Sequence, residues 1–301
     1  MTGRDKFGLA VVVGLFALRV AAVFIDVGPG TPTDAPLLGP SAEHWFGTDA
    51  LGRDLLLRVV DSTEAFFGPG LFACFVALLF GVPAGALVGY RPDVAPATVV
   101  RFGLTIVAAW PQLVLVIVVV AIFTASVDDP AAWSGFRLYL LAAVLGVSFV
   151  PQVAGAVGEK VAWFRRERFV EAAVAHGLTH ARILGFHILW ANCRNLVLRQ
   201  ACMLFGAFLL VETSLSYLGD YGVPPPRPSW GNILSGLKSQ VIHVRSLARP
   251  ESLAPADVYE GLLRAVVEGG AVALAAPTLA IVVSIAGVLA AGEYFAERDG
   301  R

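Results

Sequence analysis

The sequence predicts an all-α membrane protein with six transmembrane helices and both termini in the cytoplasm. Three observations lead there. Of 301 residues, 57% are apolar and only 15% charged, with a mean hydropathy of +0.73; a soluble domain carries roughly 25% charge. Six stretches, at 7–25, 71–90, 102–124, 138–157, 196–218 and 269–292, are long and apolar enough to cross ~30 Å of hydrocarbon. Each must satisfy its own backbone hydrogen bonds in lipid, so each is expected to be a helix. Finally, a cytoplasmic N-terminus leaves thirteen Lys and Arg inside against eight outside, five of the eight in one long loop that counts little. Six crossings return the chain to the side where it began.

The composition also excludes. Basic residues (22) and acidic residues (23) nearly balance and form no basic block, so no nucleic-acid surface is expected. Cys74, Cys193 and Cys202 lack metal-ligand spacing and read as small buried apolar groups. His176 and His180 are four apart but bracket a glycine, which suits a solvated or docking surface better than a metal site. No G-x-x-x-x-G-K-[ST], H-E-x-x-H or G-x-S-x-G occurs, so the chain is not read as an enzyme and binds no ATP by a P-loop.

Taken in order, MTGRDK precedes the first span, which is too long for a signal-peptide core and is followed by five more, so it is read as an uncleaved helix. Arg19 within it either snorkels or pairs with another helix. Then comes HWFGTDALGRDLLLRVV. Thr48 or Asp49 is expected to N-cap a helix whose apolar side is Leu51, Leu55, Leu56, Val59 and Val60, with Asp54 and Arg58 as an i,i+4 pair. The same pattern suits an amphipathic helix on the membrane surface. Trp110-Pro111 predicts a kink in the third span. The fourth span ends near Pro151.

The central stretch 168–192, RFVEAAVAHGLTHARILGFHILWAN, is polar-tolerant between two apolar spans. A helix beginning near Glu171, Ala172 and Ala173 can close at Gly177, and a second short helix can start at Thr179 with Ile183, Leu184 and Ile188 on one side. The result is a compact knob with a small alanine face, although an ordinary basic loop could have the same form. The fifth span carries Glu212, a carboxylate among apolar residues, either functional or a structural acceptor. Pro224, Pro225, Pro226 and Pro228 then predict a stiff extended segment, and Trp230 suits a membrane interface. Residues 235–264 are polar with mixed charge and read as a long outer loop with short helices.

Three of these segments resemble one family, the oligopeptide/dipeptide/nickel permeases of ABC importers. Gly47, Thr48, Asp49, Gly52, Arg53, Asp54 and Arg58 are similar to its G-T-D-x-x-G-R-D-x-x-x-R segment. Glu171, Ala172, Ala173, Gly177, His187 and Leu189 resemble its EAA loop and His-Ile-Leu ending, with Trp190 where proline is usual. Glu212, Ser214, Leu215, Ser216, Leu218 and Gly219, followed by Pro225, Pro226, Pro228, Ser229, Trp230, Gly231 and Asn232, resemble L-L-E-A-S-L-S-F-L-G and P-P-x-P-S-W-G-N. Departures are Asp61–Glu64 in place of a Gly-Ala-Arg-rich run, Gly155 and Gly158 where basic residues are usual, and a longer outer loop.

The resemblance implies a type I ABC-importer permease architecture: a first membrane helix and extracytoplasmic segment over 1–70, then a core over 71–301 with a cytoplasmic coupling loop at 159–195 and an outer loop at 219–264. It implies a permease subunit in the bacterial inner membrane, carrying peptides or a related small solute such as nickel. It also implies a second homologous permease, two ATPases that hold the ATP and Mg, and an extracytoplasmic solute-binding protein, all within membrane lipid. An ATP-independent secondary transporter, or a divergent permease that no longer transports, remains the alternative. A secondary carrier calls for paired interrupted helices and coupling-ion groups at midplane, and only Arg19 and Glu212 lie well inside the spans.

Overall fold

The computed structural model describes residues 3–24, 38–49, 52–125, 134–219, 221–223, 227–236 and 256–299, with the backbone alone at 124, 125, 134 and 256–273. The predicted roles of Leu51, of Pro224, Pro225 and Pro226, and of most of the 235–264 loop lie outside the described residues. Among the described residues the secondary structure is helical apart from one isolated bridge between Thr48 and Asp54.

The helices are α1 (Gly3–Phe24), α2 (Leu55–Asp61), α3 (Thr63–Tyr90), α4 (Ala95–Ala108), α5 (Gln112–Ala125), α6 (Ser134–Phe164), α7 (Arg168–Ala175), α8 (His180–Arg182, continuing as a π-helix over Ile183–Trp190), α9 (Arg194–Leu218), α10 (230–236) and α11 (Ala256–Asp299). Among the described residues five single helices have the length and apolarity to cross a membrane, and α4 with α5 make a sixth candidate bent by 80°. The kink expected at Trp110-Pro111 is thus a full break. Pro111 removes one N–H, and the chain turns instead of continuing the ladder. Residues 256–264, read from sequence as part of a loop with short helices, are helical and continuous with the last span. Mixed charge marks them as polar but does not stop a helix that has no proline or glycine cap there.

The chain packs as two units. The first contains 1–10, 69–208 and 286–301. In it α3 lies against α6 through a stripe of small residues. A Cβ built on Gly81 would stand 2.6 Å from Val153 Cβ, while one on Gly85 would collide with Ala154 O and one on Gly89 with Gly158 O. Helix packing in lipid gains from such close approach because no hydrophobic drive separates helix from lipid. Gly158, which departs from the family pattern, is therefore part of this contact. Ala77, Ala142, Leu145, Val153 and Val157 fill the seam and are fully buried. In the same unit Arg4 Nη1 lies 3.0 Å from Glu293 Oε2 and Nη2 lies 3.2 Å from Glu297 Oε1, which joins the two ends of the chain.

The second unit contains 11–68 and 209–285. Here Arg19 meets Glu64 at 4.0 Å, so the charge inside the first span is paired between helices. Ser62 and Thr63, from the stretch that departs from the family pattern, are fully buried. Ser62 Oγ donates to Arg58 O (2.6 Å) and Thr63 Oγ1 to Val60 O (2.8 Å), which closes α2 before α3 begins. The three cysteines are free, Cys74 and Cys193 buried and Cys202 half-buried.

Candidate functional site

In the first unit, α7 ends in a Schellman turn. Gly177 takes φ +79°, its N–H donates to Val174 O (2.9 Å), and Leu178 N–H donates to Ala173 O (3.1 Å). A residue with a Cβ is strained at that φ, which explains the glycine. Thr179 then caps α8, its side chain accepting from Arg182 N–H at 3.4 Å. Ile183 and Ile188 are fully buried on one side. On the other side Glu171, Ala172 and Gly177 are exposed and Ala173 is half-buried, so the expected small face is open. Phe169, Val174, Phe186 and Trp190 are exposed in the same stretch.

Trp190 has the N–H that proline lacks, and the π-helix runs through it. The helix ends at Asn192 instead and the backbone bends at Cys193, with Asn192 Nδ2 donating to His187 O at 2.6 Å. His187 and Leu189 are half-buried. The two histidines that bracket the turn separate in role. His176 Nδ1 donates to Ala172 O (2.8 Å) within its own helix, while His180 Nδ1 shares a 2.8 Å hydrogen bond with the hydroxyl of buried Tyr90. That last contact fastens the start of α8 to the end of α3. Sequence reasoning missed it, because ninety residues separate the partners.

In the second unit the glycines of GTDALGRD turn the backbone, with φ of +76° at Gly47 and +71° at Gly52. Thr48 Oγ1 accepts from Leu38 N–H at 2.9 Å. Asp49 accepts from Arg53 N–H (3.0 Å) and Arg53 Nε (2.9 Å) and also from Arg58 Nη1. The expected cap and ion pair are therefore corrected. Asp54, not Thr48 or Asp49, caps α2 by accepting from Leu57 N–H (3.0 Å), and Arg58 pairs with Asp49 rather than Asp54. The loop brings Asp49 over α2, leaving Asp54 free to cap; His44 Nδ1 lies 2.8 Å from its other oxygen.

The Pro-Ser-Trp-Gly-Asn segment packs in this unit too. Ser229 and Asn232 form a reciprocal cap for α10: Asn232 Oδ1 accepts from Ser229 N–H (2.9 Å) and Ser229 Oγ from Asn232 N–H (3.2 Å). Half-buried Pro228 precedes it. Trp230, expected at an interface, is instead 1% exposed: its Nε1 donates to Val59 O at 3.0 Å, and its ring lies 4.6 Å from that of Phe66. Burial costs the indole nothing once its N–H has a partner. Gly231 sits against Thr213 O, leaving no room for a side chain. Glu212 is buried and accepts from Ser216 Oγ (2.7 Å), and Ser216 Oγ accepts from Val223 N–H (3.0 Å). The predicted outer motifs and Glu212 thus meet within one unit, and the predicted knob forms in the other.

No group of three or more His, Cys, Asp or Glu placed to hold a metal occurs among the described residues. Residues 81–298 match the family described as binding-protein-dependent transport system inner membrane component. The chain is 34% identical over 226 residues to a dipeptide transport system permease protein, DppC of Alkalihalophilus pseudofirmus, covering 75% of this chain and 68% of that one. To a glutathione transport system permease protein, GsiD of Pectobacterium atrosepticum, it is 29% identical over 254 residues, covering 82% and 80%. To the GsiD of an Escherichia coli strain it is 30% identical over 234 residues, covering 78% and 72%.

Proposed function

Because the chain belongs to the family of binding-protein-dependent transport system inner membrane components, we propose that it is the permease subunit of an ATP-driven importer of peptides or peptide-like solutes. It is a multi-pass protein of the bacterial inner membrane and not an enzyme. The observation that carries the coupling mechanism is the open face of α7. Glu171, Ala172 and Gly177 stand exposed on a turn that Ile183 and Ile188 anchor from behind. A rigid, small-residue face of this kind lets a partner approach closely, and Glu171 offers it a charge.

In this reading two ATPases dock on the knob from the cytoplasm, where both termini also lie. A second, homologous permease completes the pathway, and an extracytoplasmic solute-binding protein delivers the solute to the face carrying the GTD and Ser-Trp-Gly-Asn segments. Closure of the ATPases displaces α7 and α8. The Tyr90–His180 contact hands that displacement to α3, and the small-residue seam hands it to α6. Alternating access needs such a two-state element biased from a distance.

The test is a mild-detergent pull-down of the tagged chain from its native membrane, comparing wild type with the Glu171→Lys/Gly177→Asp double variant. Recovery of an ATPase pair and a second permease with wild type, and loss of the ATPases with the variant, is the expected result. Recovery of the chain alone in both cases would return the knob to an ordinary loop and favour a secondary carrier.

A further inference from the structure

Glu212 is a carboxyl buried without a countercharge. It lies less than two turns from the C-terminal end of α9 and is 1% exposed. Ser216 Oγ donates to its Oε1 at 2.7 Å, but Oε2 has no hydrogen-bond partner among the described residues. Nor has Thr213 Oγ1, on the next residue, which is 7% exposed. The groups that act on the carboxyl are the hydroxyls of Ser216, Ser229 and Thr213, with no basic side chain among them. Thr213 and Ser229 stand beside it without reaching hydrogen-bond geometry. A buried charge persists where it is paired or holds a metal. A buried polar oxygen likewise calls for a partner. Two orphaned oxygens beside one unpaired carboxyl therefore point to something held between them.

The ligand chemistry follows from the oxygens. Ser216 Oγ accepts from Val223 N–H (3.0 Å) and Ser229 Oγ from Asn232 N–H (3.2 Å). A hydroxyl oxygen has two lone pairs, so each of these keeps one, and Thr213 keeps both. Together with Glu212 Oε2 they offer hard oxygen donors and no nitrogen or sulfur, a set that suits an alkali or alkaline-earth ion and not a transition metal. A single carboxylate balances a single positive charge, whereas calcium and magnesium ask for more oxygens than are gathered here. A proton would serve Oε2 alone and leave Thr213 Oγ1 without a partner. The glycines set the size. Gly222 packs on Ser216 Oγ, and Gly231 packs on Thr213 O and Ser216 Cβ, each so closely that a side chain would collide. Backbone pressed in this way closes over a small ion.

We propose that Glu212, Thr213, Ser216 and Ser229 bind one sodium ion, which ties the end of α9 to the start of α10. Ser229 precedes Trp230, whose indole donates to Val59 O, so the ion also steadies the contact of this segment with α2. The assignment rests on side chains of this unit alone and asks nothing of ATP or of the solute carried.

The test is equilibrium binding of radioactive sodium to the full chain, purified in mild detergent with any subunits that accompany it, in a choline chloride buffer. Saturable binding of one ion per chain is expected, displaced by unlabelled sodium and at least about tenfold less well by the larger potassium ion. The melting temperature of the wild type should rise as sodium saturates the site, because an ion held only by the folded chain stabilises it. Glu212→Gln, which keeps the shape without the charge, is expected to abolish binding. Thr213→Val removes one oxygen and is expected to weaken binding about tenfold; it decides the matter should Glu212→Gln fail to accumulate. No saturable binding by the wild type means that Glu212 keeps a proton, and overturns the proposal. Binding unchanged in either variant places the ion on other ligands and overturns it equally. Equal displacement by potassium overturns the assignment to sodium.

Discussion

Asp49 shows how much one side chain can hold in the second unit. It accepts from Arg53 and Arg58 together, and both guanidinium groups are mostly shielded from water, at 16% and 15% side-chain exposure. Removing one partner of such a cluster leaves charge that is poorly hydrated and unmatched, at a cost of about 3 kcal/mol. Asp49→Ala is therefore expected to lower the melting temperature of the purified protein distinctly, and Asp49→Asn by less, since the amide oxygen still accepts. Equal melting of wild type and Asp49→Ala would show that the arginines are hydrated where they stand. The sequence made this motif recognisable but did not disclose its wiring. Thr48, Asp49 and Asp54 are all competent caps, and only the fold of the loop decides that Asp54 caps while Asp49 gathers the arginines. Trp230 misled for a similar reason: an indole suits a membrane interface or a core with an acceptor, and the acceptor is Val59 O, 171 residues away.

At the scale of elements, the contact between α3 and α6 separates glycines that pack from glycines that merely occur. A side chain on Gly85 would meet Ala154 O, a backbone atom that cannot swing aside, whereas around Gly155 nothing lies within 4 Å. Gly85→Leu is expected to destabilise by at least about 2 kcal/mol through overpacking, read as loss of monodisperse protein in mild detergent. Gly155→Leu should leave the yield near wild type. If both variants behave alike, the seam is looser than described. The helices themselves were legible because twenty apolar residues have few other options in lipid, and the Schellman turn was legible because Gly177 follows a run of helix formers. The π-helix over Ile183–Trp190 was not: its apolar residues fit an α-helical period equally well, and only the placement of Ile183 and Ile188 in the core, five apart, distinguishes the two.

At the scale of the whole molecule, the count of crossings turns on the bent pair, and the ends of the chain settle what the pair must do. The Arg4 pairs are half-exposed and contribute little energy, within the range of 0–1 kcal/mol for surface ion pairs. Their value is topological: ends that touch cannot lie on opposite faces of a bilayer. The positive-inside count predicts which face, placing thirteen basic residues in the cytoplasm with the knob and the termini. Alkaline phosphatase, which needs the oxidising exterior to form its disulfides, is expected to stay inactive when fused after Arg301 and when fused ahead of Met1 behind a linker without a signal sequence. Fused at Ser134, after α5, it should be active. Inactive fusions at Met1 and Ser134 with an active one at the C-terminus would make α4–α5 a re-entrant hairpin and leave an odd number of crossings, which the Arg4 contacts forbid. Activity at both termini would turn the protein over and put the knob outside, beyond the reach of any ATPase.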